Sequence, residues 1–176
     1  MEIFIINLDK NINFELIKTF QKKDISDYNK LFEHCFIYYC ADKILKNFYH
    51  IENYEIEFIS NKPFLKSKEK YLSLSHSGKY SALCFSDYDC GIDIEQVIPR
   101  NYERISNRMN FPKARTLEDF YNNWTKYESE YKLNQKAKIT KTFHRENYTI
   151  TACSINPEEK FTIYFQTIND FPKLKN

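Results

Sequence analysis

Two hydrophobic periods alternate along the chain. Residues 2–8 alternate as a strand does, and from about Ser26 to Tyr49 the apolar positions Leu31, Cys35, Ile37, Tyr38, Ala41, Ile44, Leu45 and Phe48 recur at helical spacing. This predicts a first strand and then one long amphipathic helix, with Asp24 or Ser26 as its N-cap. Four strand-length runs follow, Tyr54 to Ile59, Tyr71 to Leu74, Tyr80 to Ser86 and Cys90 to Glu95, with breaks at Pro63, Gly78 and Asp87 to Asp89. They read as one small, mainly antiparallel sheet. Helical periodicity returns from Lys113 to Lys132 through Leu117, Phe120, Tyr121, Trp124, Glu128 and Tyr131. Strands are then expected at about Thr140 to Phe143, Tyr148 to Ile155 and Phe161 to Thr167, before a polar end. Two rounds of helix plus sheet predict an α+β protein of two similar halves, residues 1–96 and 97–176, although no residue-level repeat accompanies them.

Composition narrows the classes. With 42% apolar and 17% aromatic residues the chain is too hydrophobic to remain disordered. A net charge of +2 gives no reason to expect a nucleic-acid partner. No stretch approaches the roughly 18 apolar residues of a membrane span, and the opening MEIFIINLDK reads as a strand, not as a secretion leader. The five cysteines form no C-x-x-C pair, which argues against a disulfide framework and a structural zinc site. The expectation is a cytoplasmic protein with reduced thiols. Two internal halves would make a monomer sufficient.

Three short segments carry candidate chemistry. In GIDIE at 91–95, strand alternation puts Asp93 and Glu95 on one face while Ile92 and Ile94 turn to the core. A pair of carboxylates is half of a hard-metal site, since Mg²⁺ takes one or two carboxylates and completes its shell with phosphate oxygens and water. In SLSHSGKY at 73–80, Ser75, His76 and Ser77 precede one of only two glycines, in what reads as a turn able to aim hydroxyls and an imidazole at a phosphate. In WTKYESEYK at 124–132, Trp124, Glu128 and Lys132 are spaced by four and share one helix face. Each segment alone has a plain structural alternative: an acidic strand face, a hairpin, a surface ion pair.

Together with NKPFL at 61–65, these segments follow the order and approximate spacing of the Sfp-type 4′-phosphopantetheinyl transferases, which the chain resembles over most of its length. The resemblance implies two α+β halves about a pseudo-two-fold axis, with coenzyme A in the cleft between them. It implies transfer of 4′-phosphopantetheine from coenzyme A to a serine of an apo acyl or peptidyl carrier protein. Asp93, Glu95 and Glu128 would ligate Mg²⁺, Glu128 would also serve as base, and Lys132 would face the pyrophosphate. Ser75 and His76 match positions that hold coenzyme A phosphates, and Lys62 with Pro63 matches the segment beside the adenine. Two departures stand out. The usual lysine before the helix glutamate is Tyr127 here, with Lys126 turned about 100° away, and no arginine of the first helix matches the one used for the coenzyme A 3′-phosphate, although Lys30 and His34 are nearby.

Arg100, Arg104 and Arg108 recur every four residues before Lys113 and Arg115. If helical they form a basic stripe suited to an acidic carrier protein, with Met109 and Phe111 as apolar anchors. The alternative function is a non-catalytic relative that binds coenzyme A or carrier protein, for which Tyr127 is the sequence support.

Overall fold

The computed structural model of the chain describes residues 1–59, 62–112 and 114–170. Asn61, Lys113 and the polar end beyond 170 lie outside the described residues. Within them the protein is mixed α+β, with four helices and nine strands in three sheets. No described helix is long and apolar enough to cross a membrane.

The chain runs β1 (Glu2–Asn7), α1 (Phe14–Lys18), α2 (Tyr28–Asn47), β2 (Ile56–Ile59), β3 (Lys62–Leu65), β4 (Tyr71–Ser77), β5 (Tyr80–Ser86) and β6 (Cys90–Gln96). It continues as α3 (Tyr102–Met109), α4 (Leu117–Leu133), β7 (Ile139–Arg145), β8 (Tyr148–Ser154) and β9 (Thr162–Gln166), ending in a 3₁₀ turn at Ile168–Asp170. The N-cap of α2 is Asp27, whose carboxylate accepts the Lys30 N–H, in place of Asp24 or Ser26. α4 starts behind a Thr116–Asp119 capping box, later than the periodicity alone predicts.

The expected single sheet is divided. β4 and β5 belong to a four-stranded sheet of order β4-β5-β1-β9, β2 and β3 form a separate ribbon, and β6 joins a three-stranded sheet of order β6-β8-β7. Pairing crosses residue 96 in both directions, because β6 pairs with β8 while β9 runs parallel to β1. Pro63, read as a break, lies in β3 opposite Phe58. A two-stranded ribbon has only edges, where a missing N–H is tolerated.

Alternation along β1 explains the layering. Phe4 and Ile6 pack with α2, Leu72, Leu83 and Phe85, whereas Ile3 and Ile5 pack with Ala82, Ile92, Ile94, Ile150 and Ala152. The order is therefore helix α2, four-stranded sheet, three-stranded sheet, helix α4, and the inner strands β5 and β8 are buried throughout. All five cysteines are free and buried.

Candidate active site

Ser75, His76 and Ser77 belong to β4, not to a turn, and the connection to β5 shrinks to Gly78 and Lys79. Gly78 holds φ +55 at the first central position, as a tight hairpin of this kind requires. β4 is prolonged because its serines have partners. β6 lies at the edge of its sheet, and its outward N–H groups at Ile92, Ile94 and Gln96 donate to the hydroxyls of Ser73, Ser75 and Ser77 at 3.1, 3.4 and 3.0 Å. Side chains of one sheet thus satisfy the open edge of the other.

The second glycine sets the approach of α4. A Cβ on Gly91 would collide with the Ser129 carbonyl oxygen, so glycine is required where the helix crosses β6. Thr125 and Ser129, small and fully buried, form the underside of α4 there. The close crossing brings Lys132 onto Asp93.

Asp93 is the centre of the site. It is 4% exposed, and its Oδ1 accepts Lys132 Nζ at 2.7 Å and the Ser75 hydroxyl at 2.8 Å. Lys132 Nζ also donates to the Ile92 carbonyl at 3.1 Å. Asp93 Oδ2 is buried with no partner. Glu95 accepts the Trp124 indole N–H at 3.1 Å through Oε1 and the Ser77 hydroxyl at 3.2 Å through Oε2. Burial, then the Asp93 charge, pushes the Glu95 carboxyl above its ordinary value, against the opposing bonds from Trp124 and Ser77. Burial and Asp93 likewise raise Glu128, with Lys132 opposing. Three carboxylates therefore repel through Asp93, and Lys132 neutralises one of them.

The donor set fits a hard cation in part. Among the described residues no group of three or more His, Cys, Asp or Glu side chains that could hold a metal ion is gathered. What the donor set offers is an unpartnered buried oxygen on Asp93, beside Glu95 and Glu128, both of which feel its charge. Mg²⁺ commonly binds in this manner, with substrate oxygens completing its shell.

The remaining predicted residues lie around this centre. His76 is exposed, with Nδ1 3.5 Å from Glu33 Oε2. Desolvation lowers its pKa, Glu33 opposes, and the charges of Lys132 and Lys23 add to the lowering. His34 is buried, its Nε2 accepts the Lys22 N–H at 3.1 Å, and burial, followed by Lys23, pulls it down to about 4. Lys62 pairs with Asp89 at 2.5 Å and reaches the Leu133 carbonyl at 3.4 Å, which ties β3 to the C-terminal end of α4. Pro63 follows it, half-buried.

The basic stripe is shorter than expected. Asn101 caps α3 by accepting the Arg104 N–H, so Arg100 falls before the helix and lays its guanidinium over the Tyr121 ring at 5.0 Å. Arg104 and Arg108 remain on α3, both exposed. Tyr127 faces outward, stacked on Tyr131 at 6.5 Å and packed on Phe111 at 5.4 Å. A cleft of about 740 Å³, lined by Asn7, Asp9, Lys10, Gly78, Lys79 and Glu33, touches the site through Glu33. Sequence reading missed the serine ladder; its signal was the shared two-residue spacing of Ser73, Ser75 and Ser77 with Gly91, Asp93 and Glu95. No family model matches the chain, and no curated protein matches it.

Proposed function

We propose that the chain is a Mg²⁺-dependent 4′-phosphopantetheinyl transferase of the Sfp type, acting from coenzyme A on a serine of an apo acyl or peptidyl carrier protein. The observation that carries this reading is the convergence of three distant segments on one carboxylate: Asp93 of GIDIE is held by Ser75 of SLSHSG and by Lys132 of the Trp124–Lys132 segment. The fourth segment reaches the same helix end through Lys62. We take α2 on β4-β5-β1-β9 and α4 on β6-β8-β7 as the two halves, related by a pseudo-two-fold axis, with coenzyme A along the seam where β4 meets β6.

In this reading Asp93, Glu95 and Glu128 would hold Mg²⁺, which when bound supplies charge neutralisation at the pyrophosphate. Lys132 adds a fixed cation beside it, and positioning and charge do most of the work of phosphoryl transfer. The carrier serine hydroxyl attacks the β-phosphorus, the bond to 3′,5′-ADP breaks, and the serine proton passes to Glu128. The raised Glu128 carboxyl suits a base, a role worth typically 10²–10⁴-fold. Ser75 and His76, with the Lys23 charge nearby, contact the coenzyme A phosphates, and Arg104 and Arg108 orient an acidic carrier protein. A non-catalytic relative is the second reading, favoured by Tyr127, whose ring is committed to an outward aromatic strip.

Release of 3′,5′-ADP from coenzyme A, followed by chromatography with and without apo carrier protein, tests the proposal. Release that requires both carrier protein and Mg²⁺ is expected. Release without carrier protein, or none with several carrier proteins, would sink it.

A further inference from the structure

The seam between β4 and β6 follows a rule. Ser75 accepts the main-chain N–H nineteen residues ahead and donates to the carboxylate eighteen residues ahead, Asp93. Ser77 does the same with Gln96 N–H and Glu95. Ser73 takes the N–H of Ile92 nineteen residues ahead, but its counterpart in the other register is Gly91, which has no carboxylate. Each hydroxyl has a single proton, so accepting from the strand directs that proton toward the acid.

We infer that Ser75 and Ser77 are positioning residues that orient Asp93 and Glu95 toward a bound divalent cation, an inference that rests on the metal-dependent reading above. Asp93 shows the effect most clearly. Both of its bonded partners, Ser75 and Lys132, converge on Oδ1, and Oδ2 is left buried and unpartnered as the atom offered to a cation. Glu95 is held at both oxygens, by Ser77 and by Trp124, so its rotamer is fixed before any ligand arrives. Ser75 is 9% exposed, and its proton is already engaged. It acts on the cation through Asp93. Groups that orient a first ligand commonly change metal affinity 10–100-fold when removed.

Mn²⁺ serves as the probe, with the free ion measured by electron paramagnetic resonance during titration of the full chain saturated with coenzyme A, whose phosphate oxygens complete the shell. Metal-free coenzyme A affinity is measured on the same variants by calorimetry. Ser75→Ala and Ser77→Ala are each expected to weaken Mn²⁺ binding about tenfold or more, and Ser77→Ala to leave metal-free coenzyme A affinity unchanged. Ser77→Thr keeps the hydroxyl on a half-exposed strand position and restores binding. Ser73→Ala removes an equivalent seam bond without a carboxylate partner and leaves Mn²⁺ affinity as it was. Equal weakening by Ser73→Ala, or a Ser75→Ala loss confined to coenzyme A, would overturn the positioning role. A wild-type chain that binds no Mn²⁺ would instead overturn the metal-dependent reading on which the role stands.

Discussion

α2 and α4 each lie on a sheet, yet their contact faces have opposite chemistry. α2 presents Cys35, Phe36, Cys40, Ala41, Ile44 and Leu45, all fully buried against Phe4, Leu72 and Phe85. α4 presents Thr125, Ser129 and Lys132 to a sheet surface carrying Asp93, Thr149 and Thr151. Thr125 and Thr151 share a hydroxyl contact of 2.7 Å, and Thr142 reaches Thr151 at 2.9 Å. The first interface removes apolar area from water and holds the fold. The second places small side chains and glycine where a helix must come close, and it keeps like charges together at a cost in stability. One architecture thus serves as core on one side and as site on the other.

Substitutions separate the two roles. Glu128→Gln is expected to cut transfer by about 10²–10⁴-fold in steady-state assays. Its effect on stability has the opposite sign from a loss. A carboxyl raised in the folded state favours folding most when protonated, and that stability is lost as pH rises through the raised value. At neutral pH, denaturant melts of Glu128→Gln should therefore match or exceed the wild type, and the advantage should shrink as pH falls into the carboxylate range. Ile44→Ala, at the centre of the α2 face, should cost about 2–5 kcal/mol in the same melts while the turnover of the folded fraction persists.

A titration probes the seam between the α2 side and the site. His34 ordinarily titrates near 6.5 and is depressed to about 4 in the fold, so its stabilising contribution is present above 6.5 and is lost as pH falls toward 4. The loss should be on the order of 3 kcal/mol. His34→Gln keeps an acceptor for the Lys22 N–H and should flatten that part of the stability–pH profile. A profile as steep as the wild type would assign the slope to other groups. The smallest effect is expected from Arg104→Glu with Arg108→Glu. Both residues are exposed, so the double variant should slow carrier-protein association by about tenfold at low salt and much less at high salt. Stopped-flow association rates at two ionic strengths check it.

The apolar side of the molecule was the more legible in sequence. α2 shows because apolar residues recur at helical spacing from Leu31 to Phe48, around the buried polar exceptions His34 and Asp42, and β5 and β1 show because alternation or continuous burial marks them. The acids and Lys132 were equally visible, since two-residue and four-residue spacings fix shared faces. Their surroundings were not. Ser75 and Ser77 before Gly78 have the composition of a turn, and only the distant edge of β6 makes them a strand. Alternation says which residues face a sheet but not which strand lies beside them, so the strands between Tyr54 and Glu95, which fall in three sheets, read as one. α1 has five residues, too few to display a period. Arg100 looked helical by spacing, and the Asn101 cap that ends the stripe competes with that spacing at a single residue.

The most direct measurement is the intact mass of a purified apo acyl carrier protein after incubation with this chain, coenzyme A and Mg²⁺, with an EDTA control. A gain of one phosphopantetheine that vanishes with EDTA and with Glu128→Gln is the expected result. An unchanged carrier mass across several carrier proteins, or a gain that Glu128→Gln leaves undiminished, would contradict the transfer reaction or the role given to the α4 carboxylate.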